Sequence, residues 1–177
     1  MCKIKDKVIL GLVVGLLANI PKTVLCETLY YKGITKGKCS NLAASLFLAK
    51  HKIVNKKGNV FGIFTDFITA SFDGIAYVFF LTCTGKVNKC NVLVKGLLNG
   101  MLSYGIFRGI LAKMGSCKDH PKDILTNLFM GFNSTVWGVS AGFLTLLLGH
   151  GDLFEPKPLA QTNPPNEDPS IDQSLIL

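Results

Sequence analysis

Charged side chains are scarce in this chain. Only 17% of its 177 residues are Asp, Glu, Lys or Arg, where soluble domains carry about 25%. The deficit is uneven: long runs hold almost no charge, and short connectors hold most of the lysines. That segregation argues against a soluble core and for membrane spans. Histidine is rarer still. His51, His120 and His150 fall in connectors or at a span end, so none stands as a general base inside an apolar run. The six cysteines, Cys2, Cys26, Cys39, Cys83, Cys90 and Cys117, include no C-x-x-C and have no histidine at metal-ligand spacing. Scattered free thiols are therefore expected, with no metal and no cofactor. Cys83 and Cys90 flank one short connector and could pair on an oxidising side.

Acids are fewer than bases, 11 against 19, for a net charge of +8. The sum hides an asymmetry. Residues 1–150 hold eighteen Lys/Arg and six Asp/Glu, whereas residues 151–177 hold one lysine and five acids. No basic stripe is interleaved with aromatics on a soluble element, which excludes nucleic acid as the partner. Basic connectors suit a bilayer with anionic headgroups.

What is present is apolar sequence: 49% hydrophobic residues and a mean hydropathy of +0.39. The reading is an all-α, polytopic membrane helical bundle of about four transmembrane helices over residues 1–150. The spans are expected at about 8–31, 59–84, 92–114 and 123–148, since about 20 apolar residues cross a bilayer. Residues 41–49 are too short to cross and are expected as an interfacial helix. Pro21 interrupts the first span without ending it, because neighbouring helices satisfy the freed carbonyl. The start resembles a signal peptide but lacks an A-x-A-like cleavage site, and Leu25 before Cys26 is too large for a lipoprotein box. Residues 151–177 form a Pro-rich acidic tail with five of the chain's seven prolines, expected to be disordered. Charge in the first and third connectors favours their cytoplasmic placement, while the N-terminal lysines argue the other way. Orientation therefore stays open.

Two acids stand inside the second span. Asp66 and Asp73 are seven residues apart and so share a helix face with Gly62, Thr69 and Tyr77. Phe64, Ile68, Ile75 and Phe79 fill the opposite face. An acid at bilayer depth is costly and needs a partner, a hydrated cavity or a task. The other spans carry matching polar stripes: Gly11, Gly15, Asn19 and Lys22 in the first; Gly96, Gly100, Tyr104 and Arg108, with Lys95, Asn99 and Ser103 beside them, in the third; Asn127, Gly131, Ser134, Gly138 and Gly142 in the fourth. The pairs Gly11/Gly15, Gly96/Gly100 and Gly138/Gly142 have the small-xxx-small spacing that lets helix backbones approach closely.

Depth matching assigns partners. For an antiparallel pair turning near residues 85–91, residues at one level have numbers summing to roughly 175. Asp66 is then level with Arg108 and expected to pair with it. Asp73 is near Asn99, Ser103 and Tyr104. Midpoint matching brings Asn19, Lys22, Asn133 and Ser134 to the same plane, so Asp73 is expected to pair with Lys22 or to sit in a hydrated polar cluster.

Three motifs fail. Residues 138–142 read G-x-S-x-G, but no histidine accompanies Ser140 in the spans, and helix packing explains the glycines. Thr84-Gly85-Lys86 lacks the flanking residues of a phosphate-binding loop. Asp73-Gly74-Ile75-Ala76 matches the start of a motif of lipid alcohol phosphotransferases, yet Tyr77 stands where arginine is required. The chain is expected not to be an enzyme.

Asn19-Ile-Pro-Lys-Thr23, Asp66-Phe67 with Ala70-Ser71, and Thr84-Gly85-Lys86 together resemble a family of small uncharacterised multi-pass membrane proteins of bacteria, over residues 8–150. The resemblance implies a location in the cell membrane and supplies no known activity to carry over. The functional expectation is a non-enzymatic structural or partner-binding membrane component, as a homo-oligomer or with other membrane proteins. The competing expectation is a small oligomeric transporter or channel-like subunit with Asp73 and Lys22 in the path.

Overall fold

The computed structural model describes residues 3–45, 47–48, 50–53, 55–83, 89–106, 109 and 123–153. Its first long helix, α1 (Lys7–Tyr31), opens on Asp6, whose carboxylate accepts from the backbone N–H groups of Val8 at 2.7 Å and Ile9 at 2.9 Å. Two otherwise orphaned helix donors are thereby satisfied. Pro21 lies inside α1, which continues through it. The helix ends at Gly33, where φ is 71°. The Gly33 N–H then reaches the Tyr30 carbonyl and the Ile34 N–H reaches that of Leu29. This closure is a Schellman motif, and its left-handed turn favours glycine.

Five further helices follow: α2 (Cys39–Ser45), α3 (Lys50–Ile53), α4 (Lys56–Cys83), α5 (Lys89–Gly105) and α6 (Ile124–Leu148), then a 3-10 turn at Gly151–Leu153. No strand occurs among the described residues, and only an isolated bridge ties Ile4 to Gly149. Helix α6 starts on Asp123, which accepts from the Thr126 N–H at 3.1 Å and the Thr126 hydroxyl at 2.9 Å. Three helices, α1, α4 and α6, are long and apolar enough to cross a membrane. Helix α5 has 17 residues, or about 26 Å at 1.5 Å per residue, just under a bilayer's hydrocarbon thickness of about 30 Å.

Close pairing runs α1 with α4, α5 with α6, and α1 with α6; α4 and α5 touch only sparsely. Every contact between the long helices is antiparallel. Gly11 packs on Gly74 and Ile75, and Gly15 packs on Ala70 and Ser71. Gly96 meets Gly138, and Gly100 meets Ser134. A Cβ on Gly15 would fall inside the Ala70 carbonyl, and one on Gly138 inside the Gly96 carbonyl. The small residues thus set how near the backbones come, which gives van der Waals contact without help from a hydrophobic effect. Gly142 lies near the Tyr77 hydroxyl and the Val92 carbonyl.

The core between these pairs holds Leu10, Val14, Tyr77, Val78, Leu81, Val92, Trp137 and Ala141. Tyr77 is fully buried and donates to the Val92 carbonyl at 2.7 Å, so its hydroxyl is not orphaned. Phe64, Ile68, Phe72 and Phe79 on the outer face of α4 are exposed. Helix α2 packs on α4: Ser40, Ala43, Ala44 and Ser45 are buried, and Gly62 of α4 packs directly on Ser40. It begins two residues before the expected segment 41–49. The acidic tail from residue 154 onward falls outside the described residues.

Candidate functional site

Asn19 and Lys22 are three residues apart on α1, one turn of helix, and both face α4. The Lys22 ammonium donates to the two Asp66 oxygens at 2.7 and 2.9 Å, and the Asn19 amide donates to Asp66 at 3.0 Å. Side-chain exposure of the pair is only 13% and 14%. Burial of either charge alone would be costly, about 2.5–3.5 kcal/mol at the centre of a bilayer. Bidentate pairing plus the amide offsets that cost for both.

Asp73 lies two turns further along α4, about 10 Å along the axis. It accepts from the Asn99 amide at 3.2 Å and the Ser103 hydroxyl at 2.7 Å, both on α5. Lys22 therefore pairs with Asp66 and not with Asp73, which corrects the first of the two alternatives expected for Asp73; Asp73 sits instead among the polar side chains of Asn99 and Ser103. The cause is register. The glycine contacts at Gly11, Gly15 and Gly74 lock α1 against α4 so that Asn19 and Lys22 meet Asp66, one to two turns from the level assigned by midpoint matching. The expected Asp66–Arg108 pair cannot be placed, because Arg108 lies outside the described residues.

Between these two acids opens a pocket of about 80 Å³. It sits where α4 and α5 diverge. Lys22 comes from α1, Cys39 from α2, Asp66, Thr69 and Asp73 from α4, Ser103 and Tyr104 from α5, and Ser134 and Trp137 from α6. Tyr104 donates to the Asn127 carbonyl at 2.9 Å, and its ring covers Gly131. Trp137 donates to the Gly15 carbonyl at 3.4 Å. The wall thus mixes one cation, two carboxylates, hydroxyls and aromatic faces, a lining suited to orienting a polar group in an apolar setting. Asn133 stands behind this wall and donates to the Cys39 sulfur at 3.3 Å. The side-chain oxygens of Asn19 and Asn133 are buried without a hydrogen-bond partner among the described residues.

Two groups outside the long apolar stretches have shifted acidities. Burial disfavours charge on Lys38, but the Glu27 carboxylate at 2.8 Å outweighs it and holds the amine above its usual range. The Lys38 ammonium also lies over the Tyr30 and Tyr31 rings, 4.7 and 4.8 Å from their centroids. Hydrogen bonds from Thr126 hold the Asp123 carboxyl below the usual carboxylate range.

Sequence reasoning missed three participants. Gly74 was read only as part of a failed motif, though it is the α4 partner of the α1 glycines. Cys39 lines the pocket. Cys26 and Cys39, expected as scattered thiols, lie with their sulfurs 2.7 Å apart. No short-range pattern joins positions 26 and 39. Cys83 and Cys90, which by spacing could pair on an oxidising side, are exposed, and all four are free thiols. Among the described residues, no group of three or more His, Cys, Asp or Glu side chains is placed to hold a metal ion.

The class defined by fold and site is an all-helical chain with three helices able to cross a membrane and a polar pocket among them. Neither a family model, nor a curated protein, nor a solved structure matches the chain.

Proposed function

We propose that the chain is a multi-pass, non-enzymatic membrane protein of the cell membrane that binds a partner at the pocket between α4 and α5. In this reading α5 is the fourth span, and the lysine-rich connectors rest on anionic headgroups. The observation that carries it is the pocket itself. Two helices adjacent in sequence diverge there, and the gap is lined by polar groups from five helices. Such a gap is costly in a bilayer unless something polar occupies it. Lys22 and Asp66 satisfy each other, and Ser103 donates to Asp73. Among the described residues, no histidine lines the pocket to relay a proton, so binding is the reading preferred to turnover.

The test is photocrosslinking from a benzophenone side chain at Thr69 in native membranes. The expected result is a discrete adduct with a second polypeptide, a further copy of this chain included. Adducts to lipid alone would contradict the reading. A second reading is a small oligomeric transporter or channel-like subunit, favoured by the position of Asp73 on the pocket wall. It requires that Asp73→Asn leave the folded protein intact but abolish ion or solute flux in liposomes, whereas partner binding survives that change.

A further inference from the structure

Cys26 occupies the last third of α1 and is buried; Cys39 opens α2 and is half-buried on the pocket wall. Their sulfurs are 2.7 Å apart. That is closer than two sulfurs sit in ordinary contact and only about 0.7 Å longer than a disulfide bond of ~2.0 Å. The Cys39 N–H also points at the Cys26 sulfur, at 3.0 Å. The intervening segment is already folded back on itself by the Gly33 turn and by the Glu27–Lys38 ion pair. The two sulfurs need to close by only about 0.7 Å to join.

We propose that Cys26 and Cys39 are a redox-reversible dithiol–disulfide pair, formed by exchange with a small disulfide such as oxidised glutathione. Exchange begins at Cys39, the sulfur that lines the pocket. Its thiolate attacks one sulfur of the small disulfide, forming a mixed disulfide and expelling one small thiolate. The Cys26 thiolate then attacks the Cys39 sulfur, forming the Cys26–Cys39 bond and expelling the second small thiolate. The two cysteines are oxidised by two electrons, the small disulfide is reduced to two thiols, and the two cysteine protons end on those thiols. The bond pins the start of α2 to α1 on the wall that also carries Lys22 and Asp66. The proposal concerns a modification site and does not depend on what the pocket binds.

The experiment uses the full chain in liposomes with Cys2→Ser, Cys83→Ser, Cys90→Ser and Cys117→Ser, so that only the pair remains. The protein is treated with oxidised glutathione, blocked with N-ethylmaleimide, denatured, and analysed by mass spectrometry of its peptides. The expected product is a linked peptide holding Cys26 and Cys39, lost on reduction, in a yield unchanged by roughly tenfold dilution of the protein in lipid, because the reaction is intramolecular. Cys39→Ser should abolish the link. If a folded protein, judged by a single size-exclusion peak, carries only separate glutathione or N-ethylmaleimide adducts, the proposal is overturned. Disulfide-linked dimers whose yield falls on dilution would overturn it equally.

Discussion

The Lys22 ammonium lies 2.7 and 2.9 Å from the two carboxylate oxygens of Asp66, across the contact between α1 and α4. Asn19 supplies a third hydrogen bond to the same carboxylate. This is a buried pair in which neither charge is left alone, so removing one partner strands the other. Lys22→Met or Asp66→Leu alone is expected to cost about 3–5 kcal/mol, and the double change to Met and Leu much less. Thermal unfolding of the four proteins in detergent checks this, and equal losses in singles and double would refute the pairing account.

The glycine contacts allow a packing prediction. Gly15→Leu and Gly138→Leu each drive a side chain into a facing backbone carbonyl, that of Ala70 and that of Gly96. Overpacking of a tight interface costs roughly 1–3 kcal/mol or more. Gly105→Leu, where a side chain would meet open space, is the control. The expected order of thermal midpoints is Gly105→Leu near the parent, and the other two well below it.

Tyr77 joins α4 to the start of α5 through its hydroxyl and the Val92 carbonyl. Tyr77→Phe keeps the ring and removes the donor, so a loss of about 0.5–1.5 kcal/mol is expected. Tyr77→Ala adds a core cavity and should cost about 3–5 kcal/mol, by analogy with large aromatic truncations. Chemical denaturation of the three proteins in mixed micelles separates the two effects.

At the start of α6 the sign of the pH dependence is fixed. Thr126 holds the Asp123 carboxyl below its ordinary value. The cap therefore contributes fully above the unfolded aspartate pKa of about 4, and is lost as pH falls through the lowered folded value. The Thr126 amide resonance should titrate in that acid window in the parent. Asp123→Asn should keep a capped helix and remove the titration.

Much of the helical outline was visible in the sequence. The expected spans 8–31, 59–84 and 123–148 overlap α1, α4 and α6 because long uncharged runs have few alternatives to a helix. The outward side of α4 was visible in part: Phe64, Ile68 and Phe79 recur at helical spacing and are exposed, whereas Ile75, expected on the same face, is half-buried where α4 meets Gly11. Asp73 was matched with Asn99 and Ser103 because the α4–α5 hairpin sets one depth scale through a short connector. The Lys22–Asp66 contact was not visible. It depends on how α1 slides along α4, and that register is set by Gly74, a residue whose role shows only once two backbones touch. The Cys26–Cys39 contact was hidden for a similar reason. It follows from the Gly33 turn and from α2 folding onto α4, neither of which leaves a local pattern at the cysteines.

The central claim is that Asp73 faces a water-accessible pocket inside a membrane-spanning bundle. The direct measurement is thiol labelling of Asp73→Cys, with the six native cysteines replaced, using a membrane-impermeant maleimide applied to each side of sealed vesicles in turn. The account predicts labelling from one side or the other, in a protein shown to be folded, and slower labelling when Thr69→Trp narrows the pocket. An unlabelled thiol from both sides of the folded protein would contradict it.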